Sequence, residues 1–438
     1  MPAGPRRVCV AFSGGLDSTV LLCALAQVRS NESFELRAVH VDHQLQPSSG
    51  AWAEHCRRIA GAHDVPLTVM RVEVEKGSDG LEAAARKARY DALRGVLAED
   101  EVLVTAHHAN DQLETMLLAL VRGAGVRGLS AMAGVQRFGC GWLARPLMEF
   151  TREALHAWAR AQELAWIEDP MNEVIGLDRN YIRHQVVPLL RARWPASEAA
   201  AVRSARHLSE AQHLLDELAQ EDAARAAIED CLDVSILGQL TSARRRNLLR
   251  CWLRFHGVRA PSTRKLTSIE HDIVRAARDR TLRIALDGAE LRRHRNVLYC
   301  VARMETAPRR APLKWPIRTE LELPDRAGTL RLEAQIGAGI RADALPNELE
   351  VRFRQGGESI QLPGEAHHRT LKKVLQEGDV LPWWRSRLPL IHAGDKLLGV
   401  GDLWVDAAVA ARAEEPGLVV RWIDKPRIHA VRRSDASR

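Results

Sequence analysis

The sequence predicts an α/β protein: a parallel, doubly wound sheet in residues 1–195, a helical domain over 200–304 and a small α+β domain over 317–438. Three observations carry this expectation. Short Val- and Leu-rich runs alternate with helix-period patterns up to residue 148, which implies right-handed βαβ crossovers and a sheet covered on both faces. Between 200 and 300 the texture turns helical. A Pro-rich basic stretch, "ETAPRRAPLKWP" (305–316), then reads as a linker before a segment of short strands and turns.

Taken in order, strands are expected at 6–12, 34–42, 66–74, 101–108 and 142–148. Helices are expected at 18–28, 51–63, 81–100 and 110–123, then at 199–232 and 241–258. The C-terminal stretches "LEVRFRQGGESIQLPG" and "DKLLGVGDLWVD" suggest strands and turns around one helix. There is no internal repeat and no low-complexity tract.

With 438 residues and 46% hydrophobic content the chain has material for two or three cores. No apolar run approaches the ~20 residues of a membrane span, and the N-terminus enters a strand without a signal-peptide pattern, so a soluble cytoplasmic protein is expected. Seven scattered cysteines with no C-x-x-C pair argue against a disulfide framework or a zinc or iron–sulfur site. Net charge is +7 with pI about 9.2, and 55 of the 63 basic residues are Arg. That favours a polyanionic partner, since Arg forks onto phosphate and stacks on bases, although codon composition yields the same excess.

The chemistry is concentrated at "VCVAFSGGLDSTVLLCAL" (8–25). A strand, then "SGGLDS", then a helix puts the loop at the carboxyl end of a parallel strand, where backbone amides and the helix dipole favour phosphate. Gly14 and Gly15 let the main chain bend close to an anion, and Ser13 and Ser18 add hydroxyls. The loop is no Walker A motif, because no Lys precedes residue 76, and it is not G-x-G-x-x-G. A tight turn with a Ser N-cap is the plainer alternative.

"SGGxDS" resembles the PP-loop of the N-type ATP pyrophosphatases, which implies an adenine nucleotide alpha-hydrolase-like fold, ATP split between the α and β phosphates, and adenylation of an acceptor oxygen. In that resemblance Ser13, Gly14, Gly15, Leu16, Asp17 and Ser18 bind ATP, and Asp17 helps organise Mg2+. Four further stretches narrow the likeness: 38–56, "EAAARKARYDAL" (82–93), "TAHHANDQLETMLLALVRGAGVRGLSAM" (105–132) and "EDPMNEVIGLDRNYIRHQVVPLL" (168–190). With the C-terminal "VRFRQGGESIQLPGEAHHRTLKKVLQEGDVLPWWRSRLPLI", they are similar to the tRNA(Ile)-lysidine synthetase family over nearly the whole chain. The family implies a ligase that forms a carbon–nitrogen bond: ATP adenylates the C2 carbonyl oxygen of the wobble cytidine of a CAU anticodon, and the ε-amine of free L-lysine displaces AMP. Expected partners are tRNA(Ile) and lysine, with no membrane and with assembly as a homodimer left open.

The residues suit those roles. Asp111 and Glu114 are three apart on one helical face and can hold an ammonium and take its proton, the alternative being acidic N-terminal capping. Asp42 ends the second strand and binds metal or nucleotide, or forms an Asx turn. His107 and His108 occupy adjacent strand positions on opposite faces, so only one, His107, is assigned to the ATP pocket. Arg89 is taken as catalytic, a candidate to meet phosphate or tRNA backbone, with an ordinary solvated helix face as the alternative. Arg122, and Arg179, Asn180 and Arg183 of "RNYIR", are tRNA contacts in the resemblance, against ordinary solvated charge. Asn110, Met171 and Gln44 depart from the residues usual there: Asp, Ser and Gly. In the C-terminal part, Arg369, Lys372, Lys373 and Trp384 are tRNA-binding candidates; Trp383 and Trp384 serve either as stacking surfaces or as core.

Rival readings are a PP-loop tRNA thiolase, which needs Cys pairs; an amidotransferase-like enzyme, which has no use for a basic C-terminal half; and a catalytically silent RNA-binding protein, which has no need of an intact "SGGLDS".

Overall fold

The structure, a computed structural model, describes residues 7–44, 49–74, 81–168, 176–275, 282–304 and 311–431. Contacts divide the chain into two compact units, Met1–Leu215 and Asp216–Arg438.

In the first unit the elements follow as β1 (Arg7–Ala11), α1 (Leu16–Arg29), β2 (Glu35–Asp42), α2 (Ser49–Ala62), β3 (Leu67–Arg71), α3 (Leu81–Val96), β4 (Val102–Val104), α4 (Ala109–Val121), α5 (Val126–Leu129), β5 (Val135–Phe138), β6 (Gly141–Ala144) and α6 (Arg152–Ala161). After them come α7 (Asp178–Tyr181), a π-helical turn (Ile182–Val186), α8 (Val187–Arg193) and α9 (Ser197–Ala226), which runs into the second unit. The sheet order is β3-β2-β1-β4-β6-β5, parallel except for the β5–β6 hairpin. Its central strands β1 and β4 are apolar on both faces because helices cover both. Val8 and Val10 pack with α1 and α6 residues such as Leu22 and Leu155, whereas Cys9 faces Leu93 and Leu97 of and just beyond α3. The chain reverses direction across the sheet between β1 and β4, so the crevice beyond their carboxyl ends is the topological switch point, where such sheets bind ligands.

Two local expectations change. The strand expected at 101–108 ends at Val104, and Thr105 to His108 leave the sheet. β5 was not anticipated, since Val135, Gln136 and Arg137 are exposed and carry no apolar run.

In the second unit, residues 227–302 add to the expected helices a five-stranded antiparallel sheet that the sequence reading did not include. It has β7 (Ala227–Ile228), β8 (Cys231–Asp233), β9 (Leu282–Ala285), β10 (Ala289–His294) and β11 (Val297–Ala302), in the order β7-β8-β11-β10-β9. Strand β10 reads "AELRRH": its polar residues hid it, yet Glu290 is wholly buried between Arg283 and Arg292 at 2.6 and 2.7 Å. Helices α10 (Val234–Gln239), α11 (Ser242–Phe255) and α12 (Thr263–Arg275) pack on it through Leu249, Leu253, Leu266 and Ile269.

The rest is strands and turns around one helix, as expected. A five-stranded sheet joins β12 (Leu313–Pro316), β16 (Glu348–Phe353), β19 (Pro389–Ala393), β20 (Lys396–Val400) and β21 (Trp404–Val405). A four-stranded sheet joins β13 (Leu321–Glu322), β14 (Thr329–Ile336), β15 (Ile340–Arg341) and β22 (Pro416–Ile423); β17 (Ser359–Ile360) and β18 (Arg369–Thr370) pair beside α13 (Leu371–Glu377). The linker expected at 305–316 is corrected in its second half: Leu313–Pro316 is a strand, and Trp315 is fully buried with its Nε1 donating to the Thr319 carbonyl. Residues 305–310 lie outside the described residues.

Glu101, 2% exposed at the entrance to β4, receives both Arg37 Nε and Nη2 from β2 at 2.7 and 2.6 Å, and the Ala98 amide. Burial alone would raise its carboxyl; the hydrogen bonds from Arg37 and Ala98 outweigh that and hold it below the ordinary carboxylate value. A depressed folded pKa gives stability that is present above the unfolded value of about 4.3 and fades as pH falls through the folded one. Glu101→Gln should therefore cost about 1–3 kcal/mol at pH 7, with the gap to the parent narrowing below pH 4, measured by urea unfolding across pH.

Candidate active site

The crook after β1 is built around Gly14. Its φ of +80° suits glycine, and an added Cβ would lie 2.8 Å from Cys56 Sγ and 3.2 Å from Trp52 Nε1, both on α2. The close packing of the loop on α2 thus requires a glycine at position 14, and its neighbours Ser13 and Gly15 line the cavity. Trp52 Nε1 donates to the Ser13 carbonyl (2.7 Å) and the Ile167 amide to the Gly14 carbonyl (3.0 Å). Both loop carbonyls are held there, while Leu16, Asp17 and Ser18 open α1 with the unpaired amides of a helix start. Ser18 is buried, its hydroxyl engaged with Ser13 Oγ (2.9 Å) and the Gly15 carbonyl (3.1 Å), so it stiffens the crook. The N-cap is Gly15, with no side-chain cap.

These residues open onto a cavity of about 770 Å³, inside the usual range for nucleotide and cofactor sites. Asp42 lines it from the end of β2; its Oδ1 accepts the Gln44 amide at 2.9 Å, so the Asx turn and the cavity position coexist. Gln44 has φ +53°, which explains why glycine suits this position. Arg89 reaches the cavity from α3, its pKa lowered by burial and by the neighbouring charges of Arg86 and Arg179.

Both His107 and His108 line the cavity. The expectation of a single histidine fails because they follow the strand, so strand alternation does not apply. His107 Nδ1 contacts Thr105 Oγ1 at 2.8 Å; burial, with Arg145, Arg86 and Arg179 nearby, pushes its pKa down to about 3 against the pull of Asp111, so it is neutral. His108 caps α4. Its Nε2 lies 3.6 Å from Asp17 Oδ2 and 3.5 Å from Asp111 Oδ2, and these carboxylates raise its pKa despite burial. It joins the glycine crook to α4, a role that sequence reasoning missed although "HH" before "ANDQ" stood in view.

Asp111 and Glu114 share a face of α4 as expected, and the structure sets Arg179 and Arg183 against them. Arg179 reaches Asp111 Oδ1 (2.9 Å) and Glu114 Oε2 (2.8 Å); Arg183 Nε reaches Glu114 Oε1 (2.7 Å). Burial would raise the Asp111 carboxyl, but His108 and Arg179 hold it below the ordinary value. The "RNYIR" guanidiniums are thus turned inward in this conformation, and Asn180 is buried, which removes it from the exposed tRNA-contact set. A second cavity, about 470 Å³, reaches Glu114 and Arg183 from the side of Arg152 and Arg191.

Asn110 is a structural tie: its Oδ1 accepts the Arg152 amide (2.9 Å) and its Nδ2 donates to Glu198 (3.3 Å). Met171 lies outside the described residues. Arg122 is exposed and pairs with Asp178 at 3.1 Å. Far along the chain, Lys372 and Lys373 are exposed on α13, whereas Arg369 is ion-paired with Glu365 and Glu377. Of the two readings of Trp383 and Trp384 the core one holds, since they are 6% and 7% exposed in one apolar cluster, which corrects Trp384 as a tRNA-binding candidate.

Residues 1–190 match the family model described as PP-loop domain, 232–299 the TilS substrate binding domain and 349–422 the TilS substrate C-terminal domain. The fold and the crook therefore define a PP-loop protein that uses ATP. Curated relatives named tRNA(Ile)-lysidine synthase are 41% identical in Coxiella burnetii (93% of this chain, 91% of the relative), 43% in Alkalilimnicola ehrlichii (92% and 91%) and 39% in Pectobacterium atrosepticum (96% and 95%). The chain belongs to the tRNA(Ile)-lysidine synthase family, and it is an enzyme of the ligase class.

The two glycines of the crook should respond differently. Gly14→Ala forces its Cβ into Cys56 and should cost about 1–3 kcal/mol. Gly15→Ala meets only Ser13 Oγ at 3.6 Å and the Ile167 carbonyl at 3.7 Å with φ −78°, and should change stability by less than about 0.5 kcal/mol. Denaturant unfolding of the ligand-free protein reads both.

Proposed function

We propose that the enzyme joins free L-lysine to C2 of the wobble cytidine in tRNA(Ile) bearing the CAU anticodon, through an adenylated cytidine. The observation that carries this reading is the connection of two chemistries in one site: an anion crook and an acidic pair, bridged by His108 between Asp17 and Asp111. In the first step the C2 oxygen attacks the α-phosphorus of ATP and pyrophosphate leaves toward the amides that open α1. In the second, lysine's ε-amine bonds to C2, the C2–O bond breaks, and the oxygen departs in AMP.

The amine must be neutral to attack, and its reference pKa is about 10.4, so a base is needed. Glu114 takes that proton while ionised Asp111 orients the ammonium beforehand. Since Arg179 and Arg183 occupy these oxygens here, lysine enters by exchanging its ammonium for a guanidinium, and the second cavity offers the route. Asp17 Oδ1 is buried without a partner among the described residues, and Asp42 lines the same cavity; two carboxylates beside phosphates are a fitting Mg2+ donor set. That ion would neutralise phosphate charge. Neutral His107 and Arg89 meet the nucleotide, and Arg122, Lys372 and Lys373 face the tRNA.

A sulfur-transferring relative fits less well. Burial pushes the thiols of Cys9, Cys56 and Cys231 up to about 12 and those of Cys23 and Cys300 up to about 11, which suits packing and not nucleophilic delivery.

Incubation with tRNA(Ile) transcript, ATP, Mg2+ and labelled lysine should place label in nucleoside 34. Glu114→Gln should slow lysidine formation roughly 10²-fold or more while α-labelled ATP still adenylates the tRNA, so that adenylated tRNA accumulates. Asp17→Ala should abolish AMP release. Parent-like lysidine formation by Glu114→Gln, or loss of adenylation with it, would move that carboxylate out of the lysine site.

A further inference from the structure

The positive charge of this chain is not spread evenly: residues 216–438 hold 39 Lys and Arg against 31 Asp and Glu, and residues 1–215 hold 24 against 25. Within the described residues of the second unit, one place brings three arginines together with two acids. It lies where the tip of the β10–β11 hairpin meets the segment after α13 and the end of β16. Arg295 reaches Asp379 at 2.9 Å and keeps a largely exposed side chain. Arg385 is anchored through Nε to the Val380 carbonyl (2.8 Å), with no acid on its terminal nitrogens among the described residues. Arg354 touches Glu358 through Nε at 3.4 Å, but that carboxylate already accepts the Gln355 and Gly356 amides at 2.6 and 2.8 Å.

The floor is aromatic. Trp383 lies beneath, 6% exposed, with the Arg292 guanidinium 5.4 Å from its ring and the His294 ring 6.4 Å away at 89°. Trp383 Nε1 and His294 Nε2 are buried and have no hydrogen-bond partner among the described residues. The arginines sense one another: burial first, then the charges of Arg354 and Arg295, lower the pKa of Arg385, and burial, Arg295 and Arg385 lower that of His294. Among the described residues these three guanidiniums pair with two acids, Asp379 and Glu358, leaving an excess positive charge, and guanidinium forks match phosphate oxygens.

We infer that Arg295, Arg354 and Arg385 grip a phosphate group of the tRNA backbone over the Trp383 floor. The inference rests on tRNA being the substrate. It replaces the exposed-tryptophan reading of "LPWWRSRLP": the tryptophans support, and the arginines contact.

The test uses the full chain, because residues of 227–304 and of 311–431 share one apolar core through Tyr299, Met304 and Cys231, and truncation would open it. Arg295→Gln, Arg354→Gln and Arg385→Gln are compared with the parent for tRNA(Ile) affinity by filter binding over a salt series, for KM and kcat, and for melting temperature. Each variant should bind tRNA about 5- to 10-fold more weakly and lose about 0.7–0.9 from the slope of log K against log salt. KM for ATP and kcat at saturating tRNA should hold. Arg385→Lys should keep the slope while recovering only part of the affinity. Arg295, being exposed, tests the site even if Arg385→Gln unfolds. An unchanged slope in folded Arg295→Gln and Arg354→Gln overturns the proposal. A second arm titrates inorganic pyrophosphate: weaker pyrophosphate binding in the variants with parent-like tRNA slopes would assign the site to free phosphate and overturn the RNA claim. Failure of the lysidine reading is separate: it appears as a parent protein that binds tRNA yet labels no nucleoside 34.

Discussion

Two carboxylates on one helix face two guanidiniums from a turn almost seventy residues downstream, and the arrangement of the first unit hangs on that meeting. The Glu114 side chain is 2% exposed and that of Asp111 13%. Ionised acids at that depth are tolerated only with close partners, and the forked contacts of Arg179 and Arg183 supply them. The same contacts fasten α7 and the π-helical turn over the end of α4. A π turn places its residues unlike an α turn and is found disproportionately at functional sites, here at the segment carrying Arg183. His108 passes the electrostatic connection on to Asp17, so the crook and the acidic pair form one charge system.

What the sequence made legible was whatever depends on neighbours in the chain. Alternation of apolar strands with helical patterns located β1 to β4, and the Ser-Gly-Gly-Leu-Asp-Ser crook announced a strand-to-helix turn. Asp111 and Glu114 fell on one face by spacing alone. What stayed hidden depends on distant partners. β4 stops at Val104 because Thr105 gives its amide to the end of β6 and the chain then turns, and only that turn lets both histidines reach the cavity. Gly14 is required by Trp52 and Cys56 of another helix, which local reasoning about phosphate approach does not see. Trp384 reads as a stacking residue beside arginines, yet burial is decided by sheets assembled from both sides of it.

The arginine excess has a second meaning that composition did not separate. In the second unit Asp222 is matched by Arg244, Glu270 by Arg245 and Arg246, and Glu290 by Arg283 and Arg292. These acids are buried, so those guanidiniums are part of the fold. A basic isoelectric point therefore overstates the surface available to a polyanion, and the unmatched arginines are the informative ones.

The position of β1 has a consequence for how the molecule is made. It lies in the middle of the first sheet, hydrogen-bonded to β2 and to β4, and the crook it ends in is closed by the Ile167 amide. Ribosomes add about 5–20 residues per second, so roughly 9 to 34 s separate the synthesis of β1 from that of Arg183. Until Ile167 has been added the crook lacks the amide that closes it, and from Glu114 to Arg183 the acids of α4 lack the guanidiniums that pair with them. The crook and the acidic pair are thereby completed only when nearly the whole first unit has been made.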